Sequence, residues 1–358
     1  MLPCARGRIR GRLLRWPLLH YGYTPPVPIP LPPPLPPADL LVADIGGTHA
    51  RFGWADAHGN LCAQVSTRVA SRPRLEDALD ALVPHLAQAR ALCLAVAGQV
   101  DALGNARTAN LAWQVSAPAL AAHYARPVRV INDFHALALG CSMLPADAGH
   151  LLCGPDHPAA AAPGQAPPVL VIGPGTGLGA AILLPGQPPR VLPTEAGHIG
   201  LAANSGEQSA LLEQLRRQRG GGHVCVEAAV SGPGLLACYR ALAALAGQAP
   251  LLDSPEAVSQ AALAHSDALA EAALGHFCQW LGAFAADLCL ATGAQQVWLA
   301  GGIVPAMADA LGPAGFCQAF QQRGVHTPWL STLPVRVIEH GALGMRGAAL
   351  AAAGLAGD

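Results

Sequence analysis

The chain is expected to fold as an α/β protein of two domains. Three observations lead there: short apolar runs alternate with helical segments from Asp39 onward, two glycine-rich turns between strands recur about half a chain apart, and 358 residues suffice for two domains of ordinary size.

The elements support that reading in order. Arg6, Arg8, Arg10, Arg12 and Arg15 precede a mostly proline tract from Pro25 to Pro37. Proline removes backbone donors and favours solvated polyproline II, so residues 1–38 are expected to form a disordered extension outside the core. Leu13 to Tyr23 lacks the clean apolar run and small-residue cleavage site of a secretory signal. Leu40 to Ala43 reads as a buried strand ending at Asp44-Ile45-Gly46-Gly47-Thr48, and Leu92 to Ala97 as another. A third, Val128 to Ile131, ends on Asn132-Asp133. Val169 to Ile172 leads into Gly173-Pro174-Gly175-Thr176-Gly177, and Val297 to Ala300 into Gly301-Gly302. Each run is β-branched or Leu-rich and closed by Gly, Asp or Asn. Ser205-Gly206-Glu207-Gln208 has capping-box spacing for a helix carrying Leu211, Leu212 and Leu215 and stopping at 220–222. Ser254-Pro255-Glu256 is a second helix start. Leu274, Phe277, Leu281, Phe284 and Leu288 form one apolar helix face, with Gly293 as its stop.

Composition excludes whole classes. The net charge of −1 offers no field that would draw the chain to nucleic acid or a membrane surface, and no apolar run approaches the ~20 residues of a membrane-spanning helix. There is no lysine at all. P-loop kinases, protein kinases and pyridoxal phosphate enzymes each depend on one, so phosphate handling here falls to backbone N–H groups, Arg and a metal ion. The ten cysteines form no CxxC pair, which argues against structural zinc and suits a reducing cytosol.

Three clusters remain as carriers of chemistry. The two glycine-rich turns are potential phosphate cradles, since a backbone without Cβ atoms can approach anionic oxygens closely; tight hairpins would need the same glycines. Strict alternation of glycine from 173 to 179, with no helix after it, speaks against a dinucleotide site. Asp44 is placed to hold Mg²⁺ through a water molecule, and Thr48 to donate a hydroxyl to phosphate. Asp133, at the carboxyl end of a strand, is either a general base for an attacking hydroxyl or the N-cap of a helix starting at Phe134, the commoner role. Its neighbour Asn132 can both donate to and accept from a sugar hydroxyl. Glu195, His198 and Glu227 suit a polyhydroxylated ligand; as a metal triad they lack the HExxH pattern.

Taken together, the motifs resemble the bacterial glucokinase family of the actin-like sugar kinases. They are LVADIGGTHARF (41–52), NLAW (110–113), VINDFHALA (130–138), IGPGTGLGAA (172–181), EAGHIGLAANS (195–205), HVCVEAAVSGPGL (223–235) and LAGGIVP (299–305), in the family's order. The resemblance implies an actin-like ATPase (ribonuclease H-like) fold with an interdomain cleft. Its small domain would span 39–143 plus 334–358 and its large one 144–333, with a C-terminal helix from Gly341 to Gly354 returning to the first. It implies ATP and Mg²⁺ acting on glucose in a cytoplasmic homodimer, Asp133 as catalytic base, and sugar contacts from Asn110, Asn132, Glu195, His198 and Glu227. ATP would meet Asp44, Ile45, Gly46, Gly47 and Thr48 at the first loop, Gly173, Gly175, Thr176 and Gly177 at the second, and Gly301 and Gly302 beyond. His49, Pro174 and Ala196 depart from the usual pattern, and Pro174 cannot donate an N–H. The zinc motif of related repressor–kinases is absent, because 199–223 contains no Cys. Alternatives of the same fold are a kinase for fructose, mannose or N-acetylmannosamine, an acyl-phosphate kinase, and a sugar-sensing regulator.

Overall fold

The computed structural model describes residues 39–56, 58–82, 88–108, 111–157, 166–304, 307, 310–339 and 341–356. The expectation for 1–38 lies outside the described residues.

In the first half the chain forms β1 (Leu40–Ile45), β2 (His49–Ala55), β3 (Leu61–Arg68), helix α1 (Leu75–Asp80) and β4 (Ala91–Val96). A small sheet of β5 (Gln99–Val100), β6 (Asn105–Arg107) and β7 (Val115–Ser116) follows, then α2 (Ala117–Tyr124), β8 (Val128–Asn132) and α3 (Asp133–Cys141). The second half runs β9 (His150–Cys153), β10 (Val169–Pro174), β11 (Leu178–Leu184), β12 (Arg190–Thr194), α4 (Gly206–Gln218), α5 (Gly232–Leu245), α6 (Pro255–Leu263) and α7 (Ala268–Thr292). It closes with β13 (Gln296–Leu299), α8 (Gln318–Gln321), α9 (Thr327–Leu330), β14 (Val335–Val337) and α10 (Leu343–Ala356).

The internal echo is a repeated sheet. Strand order is β3-β2-β1-β4-β8 in one and β12-β11-β10-β13-β14-β9 in the other. In both, a three-stranded antiparallel meander is extended by two parallel strands. Each predicted strand appears within two residues of its expected ends; β4, β10 and β13 are buried on both faces and have no polar alternation to blur them. The expected return to the small domain at 334 comes later. Val335 and Val337 pair in parallel with Val297 and Leu299, so β14 belongs to the second sheet and only α10 crosses back.

Helix starts follow the local chemistry. The hydroxyls of Ser205 and Ser254 accept from the N–H groups of Gln208 and Ala257, each at 3.1 Å. The capping box at Ser205 is only half formed: the Gln208 carboxamide accepts from Asn204 N, at 2.8 Å, not from Ser205. Gly293, at φ 69°, closes α7 in the left-handed conformation that glycine adopts without strain.

Helix α3 joins the two halves. Ala136 and Leu139 pack with Leu40, Val42 and Cys93 of the first sheet and Met345 and Ala348 of α10. Leu137, Ala138 and Cys141 pack with Val169, Val171, Ala181 and Trp298 of the second. The α3–α10 crossing is backbone to backbone, since a Cβ on Gly347 would sit on the Ala136 carbonyl oxygen and one on Gly140 on that of Leu343. Among the described residues no helix is long and apolar enough to cross a membrane.

Candidate active site

The site begins where β1, β4 and β8 end. Asp44 lies within β1, opposite Arg51 of β2, and the guanidinium Nη1 donates to its Oδ2 at 3.2 Å. Beyond it the chain turns through Gly46 and exposed Gly47 and Thr48. The Gly46 N–H is taken by the His49 carbonyl at 3.0 Å, and the Thr48 carbonyl accepts from Val69 N at 2.9 Å. Ile45 is fully buried in the core, so only its backbone is available to a ligand.

Asn132 and Asp133 divide the roles that the sequence left open. The N-cap of α3 is Asn132: its Oδ1 accepts from His135 N at 3.1 Å, and its Nδ2 donates to the Gly98 carbonyl at 3.0 Å. This corrects the placing of the cap at Asp133, which is the first helical residue. The backbone of residue 132 is extended, so its own side chain folds back over the first turn. One amide hydrogen and a lone pair of Asn132 remain for a ligand.

Asp133 Oδ1 accepts from Phe134 N at 2.9 Å, which favours the carboxylate. Burial outweighs that bond, and the charges of Asp44 and Glu195 add to it, so the carboxyl is pushed up to about 7. Carboxyl groups from positions 44, 133 and 195 therefore share one electrostatic field.

The second loop is held by backbone contacts. Gly175 N donates to the Gly177 carbonyl at 2.7 Å, and the Gly175 carbonyl accepts from Gly232 N, at the start of α5, at 2.8 Å. A Cβ on Gly173 would lie 2.5 Å from the Ala300 carbonyl, and one on Gly301 equally close to that of Pro174. Loop 173–177 and the Gly301 turn thus need glycine where their backbones meet. Gly302 and Thr176 are exposed beside them.

Leu178 joins this loop to the Glu195–Glu227 cluster. Its N–H donates to Glu227 Oε2 at 2.8 Å, and Gly197 packs against its carbonyl. The same Glu227 oxygen passes within 2.6 Å of where a Gly177 Cβ would stand, so a side chain at 177 would have to displace the Glu227 carboxylate from this position. Glu195 precedes the 3₁₀ turn Ala196–His198 and is exposed, as is His198, whose carbonyl lies 2.9 Å from His223 Nε2.

A cleft of about 980 Å³ runs between the edge strands β8 and β12. Asn132 and Glu195 line it; Asp133, His198 and Glu227 do not. Asn110 lies outside the described residues. Sequence reasoning missed Arg51, Leu178 and the Phe134 ring, which occupies the space a Gly179 Cβ would need. Arg51 had a signal, because a hairpin centred between Gly47 and Thr48 sets 51 opposite 44; the other two contacts join distant segments. Among the described residues no cluster of three or more His, Cys, Asp or Glu side chains is placed to hold a metal ion directly.

Residues 41–355 match the sequence profile of the family described as Glucokinase. A "Glucokinase-like protein" of Xylella fastidiosa strain Temecula1 is 40% identical over 321 residues, covering 87% of this chain and 93% of that protein. A "Glucokinase" of Saccharophagus degradans is 34% identical over 310 residues, covering 84% and 94%. The crystal structure of a glucokinase from an Antarctic psychrotroph superposes with a TM-score of 0.73 at 33% identity, covering 89% of this chain and 99% of that one.

Proposed function

The chain belongs to the glucokinase family, with its actin-like ATPase fold, and we propose that it moves the γ-phosphate of ATP onto the 6-hydroxyl of glucose with Asp133 as general base. The observation that carries this reading is Asp133 itself, a largely buried carboxyl poised near 7 at the N-terminus of the helix between the two sheets. A base works best when its pKa lies near the working pH. Phe134 N–H engages Oδ1, which leaves Oδ2 to accept the hydroxyl proton as the sugar oxygen attacks phosphorus and ADP departs.

Glu195, His198, Glu227, Asn132 and Asn110 would hold the sugar hydroxyls. The Leu178 N–H fixes one oxygen of Glu227 and leaves the other to a hydroxyl. At the phosphate side, Gly46 and Gly175 have their N–H groups engaged within their turns, so they supply clearance while Gly47, Thr48, Thr176 and Gly177 would donate. A Cβ on Gly175 or Gly302 would enter open space, where the nucleotide would lie. Asp44 fits a hydrated Mg²⁺: its carboxylate is 31% exposed, and the Arg51 bond engages one oxygen. When bound, that ion neutralises charge on the phosphate oxygens. The reading includes a cytoplasmic homodimer; the nine described cysteines, all free, suit a reducing compartment.

The test is a coupled assay with ATP and Mg²⁺ across a panel of hexoses, run beside Asp133→Asn. Glucose should be the preferred substrate, and the variant should lose on the order of 10²–10⁴ in turnover. No transfer to glucose would refute the reaction. A folded variant keeping more than about a tenth of the turnover would refute the base.

A further inference from the structure

At the outer edge of the second sheet two thiols face each other. Cys153 ends the edge strand β9, and Cys317 closes the π-helical turn Pro313–Cys317 just before α8. They are far apart in sequence, yet the Cys317 thiol donates at 3.5 Å to the carbonyl of Leu152, the residue before Cys153, and both cysteines line one cavity. That cavity is open, of about 630 Å³, and its other walls are mostly polar: Gln318, Gln321, Gln322, Thr327 and Ser331.

The other buried thiols are unlike this pair. Burial alone pushes Cys141, Cys238, Cys278 and Cys289 up to about 12, as inert core groups. Between Cys153 and Cys317 the first proton leaves more easily, because the Cys153 S–H stabilises a Cys317 thiolate; the Cys153 proton is held correspondingly more tightly. An ionisable thiol, a second thiol beside it and an open polar cavity are the three parts of thiol–disulfide exchange.

We propose that Cys153 and Cys317 form a thiol–disulfide exchange site for small polar disulfides of the glutathione class. One thiolate attacks a sulfur of the incoming disulfide, forming a protein–glutathione mixed disulfide and releasing one glutathione thiolate. The second protein thiol, giving up its proton, attacks the protein sulfur of that mixed disulfide and expels the second glutathione. Two protein thiols are oxidised to one disulfide and one glutathione disulfide is reduced to two thiols, so electrons and protons balance. The product ties the edge strand β9 to the turn ahead of α8, away from the cleft residues, and the site does not depend on the reaction proposed above.

The experiment treats the reduced full-length protein with oxidised glutathione, blocks remaining thiols, and maps peptides by mass spectrometry. Exposed, solitary Cys62 is the internal standard and should take up glutathione in every sample. Wild type should show a Cys153–Cys317 cross-link with no glutathione left at either position. Cys153→Ser and Cys317→Ser should each retain glutathione on the remaining thiol, having lost the group that expels it. Melting curves confirm folding, and Cys153→Ala and Cys317→Ala replace any serine variant that fails. The proposal is overturned if Cys62 is modified while Cys153 and Cys317 stay reduced. It is equally overturned if both carry glutathione without cross-linking.

Discussion

Asp133 carries two consequences of one desolvated carboxyl. Turnover should rise with pH and reach half its plateau near 7, since the base must be ionised to accept a proton. Stability should move the other way. Between the ordinary value of 3.8 and about 7 the folded state retains a proton that the unfolded chain has released, so stability falls as pH rises through that window. Asp133→Asn has no charge to bury. Above pH 7 it should therefore melt a few degrees higher than wild type while nearly inactive, with the gap closing towards pH 4. Melting temperatures of both proteins across that range check the sign; equal curves would mean that the folded-state pKa of Asp133 is not raised.

Helix α3 sets the position of that carboxyl, and glycine sets the position of α3. Small residues let α3 and α10 approach until the Gly347 Cα lies over the Ala136 carbonyl. Gly347→Ala must push the helices apart, and such overpacking costs about 1–3 kcal/mol. Denaturant unfolding should show that loss, together with lower turnover, because α3 carries Asp133. Gly344, on the same helix, faces open space within 4 Å. Gly344→Ala should be neutral or stabilising by up to about 1 kcal/mol, as the better helix former. A loss of equal size in both variants would show that helix contact is not the cause.

Across the whole molecule, the proposed sugar ligands divide between the halves: Asn132 and Asp133 follow the first sheet, while Glu195, His198 and Glu227 follow the second. Glucose would then bridge two bodies and favour their closed arrangement. A ligand at about 100 times its Kd stabilises by roughly 2.7 kcal/mol, enough to raise Tm by several degrees. Saturating glucose should produce that shift in wild type and none in Glu195→Ala; an equal shift in the variant would remove Glu195 from the site. Removal of 1–38 should leave melting and turnover unchanged, because β1, buried except at the partly exposed Asp44, starts at Leu40.

By itself the sequence determined the alternation of strands and helices, the repeated glycine hairpins and the helix ends at Ser205, Ser254 and Gly293. Those signals act over a few residues, through side-chain size, backbone freedom and hydrogen bonds to the nearest turn. Tertiary structure decided the rest. Asn132 and Asp133 cap a helix about equally well, and only the backbone path between β8 and α3 gives the cap to Asn132. Helix α3 shows no single apolar stripe because two sheets bury different faces of it, and β14 joins the second sheet through its pairing with β13. The pKa of Asp133 depends on burial and on charges at 44 and 195, groups that only the folded chain brings within each other's field.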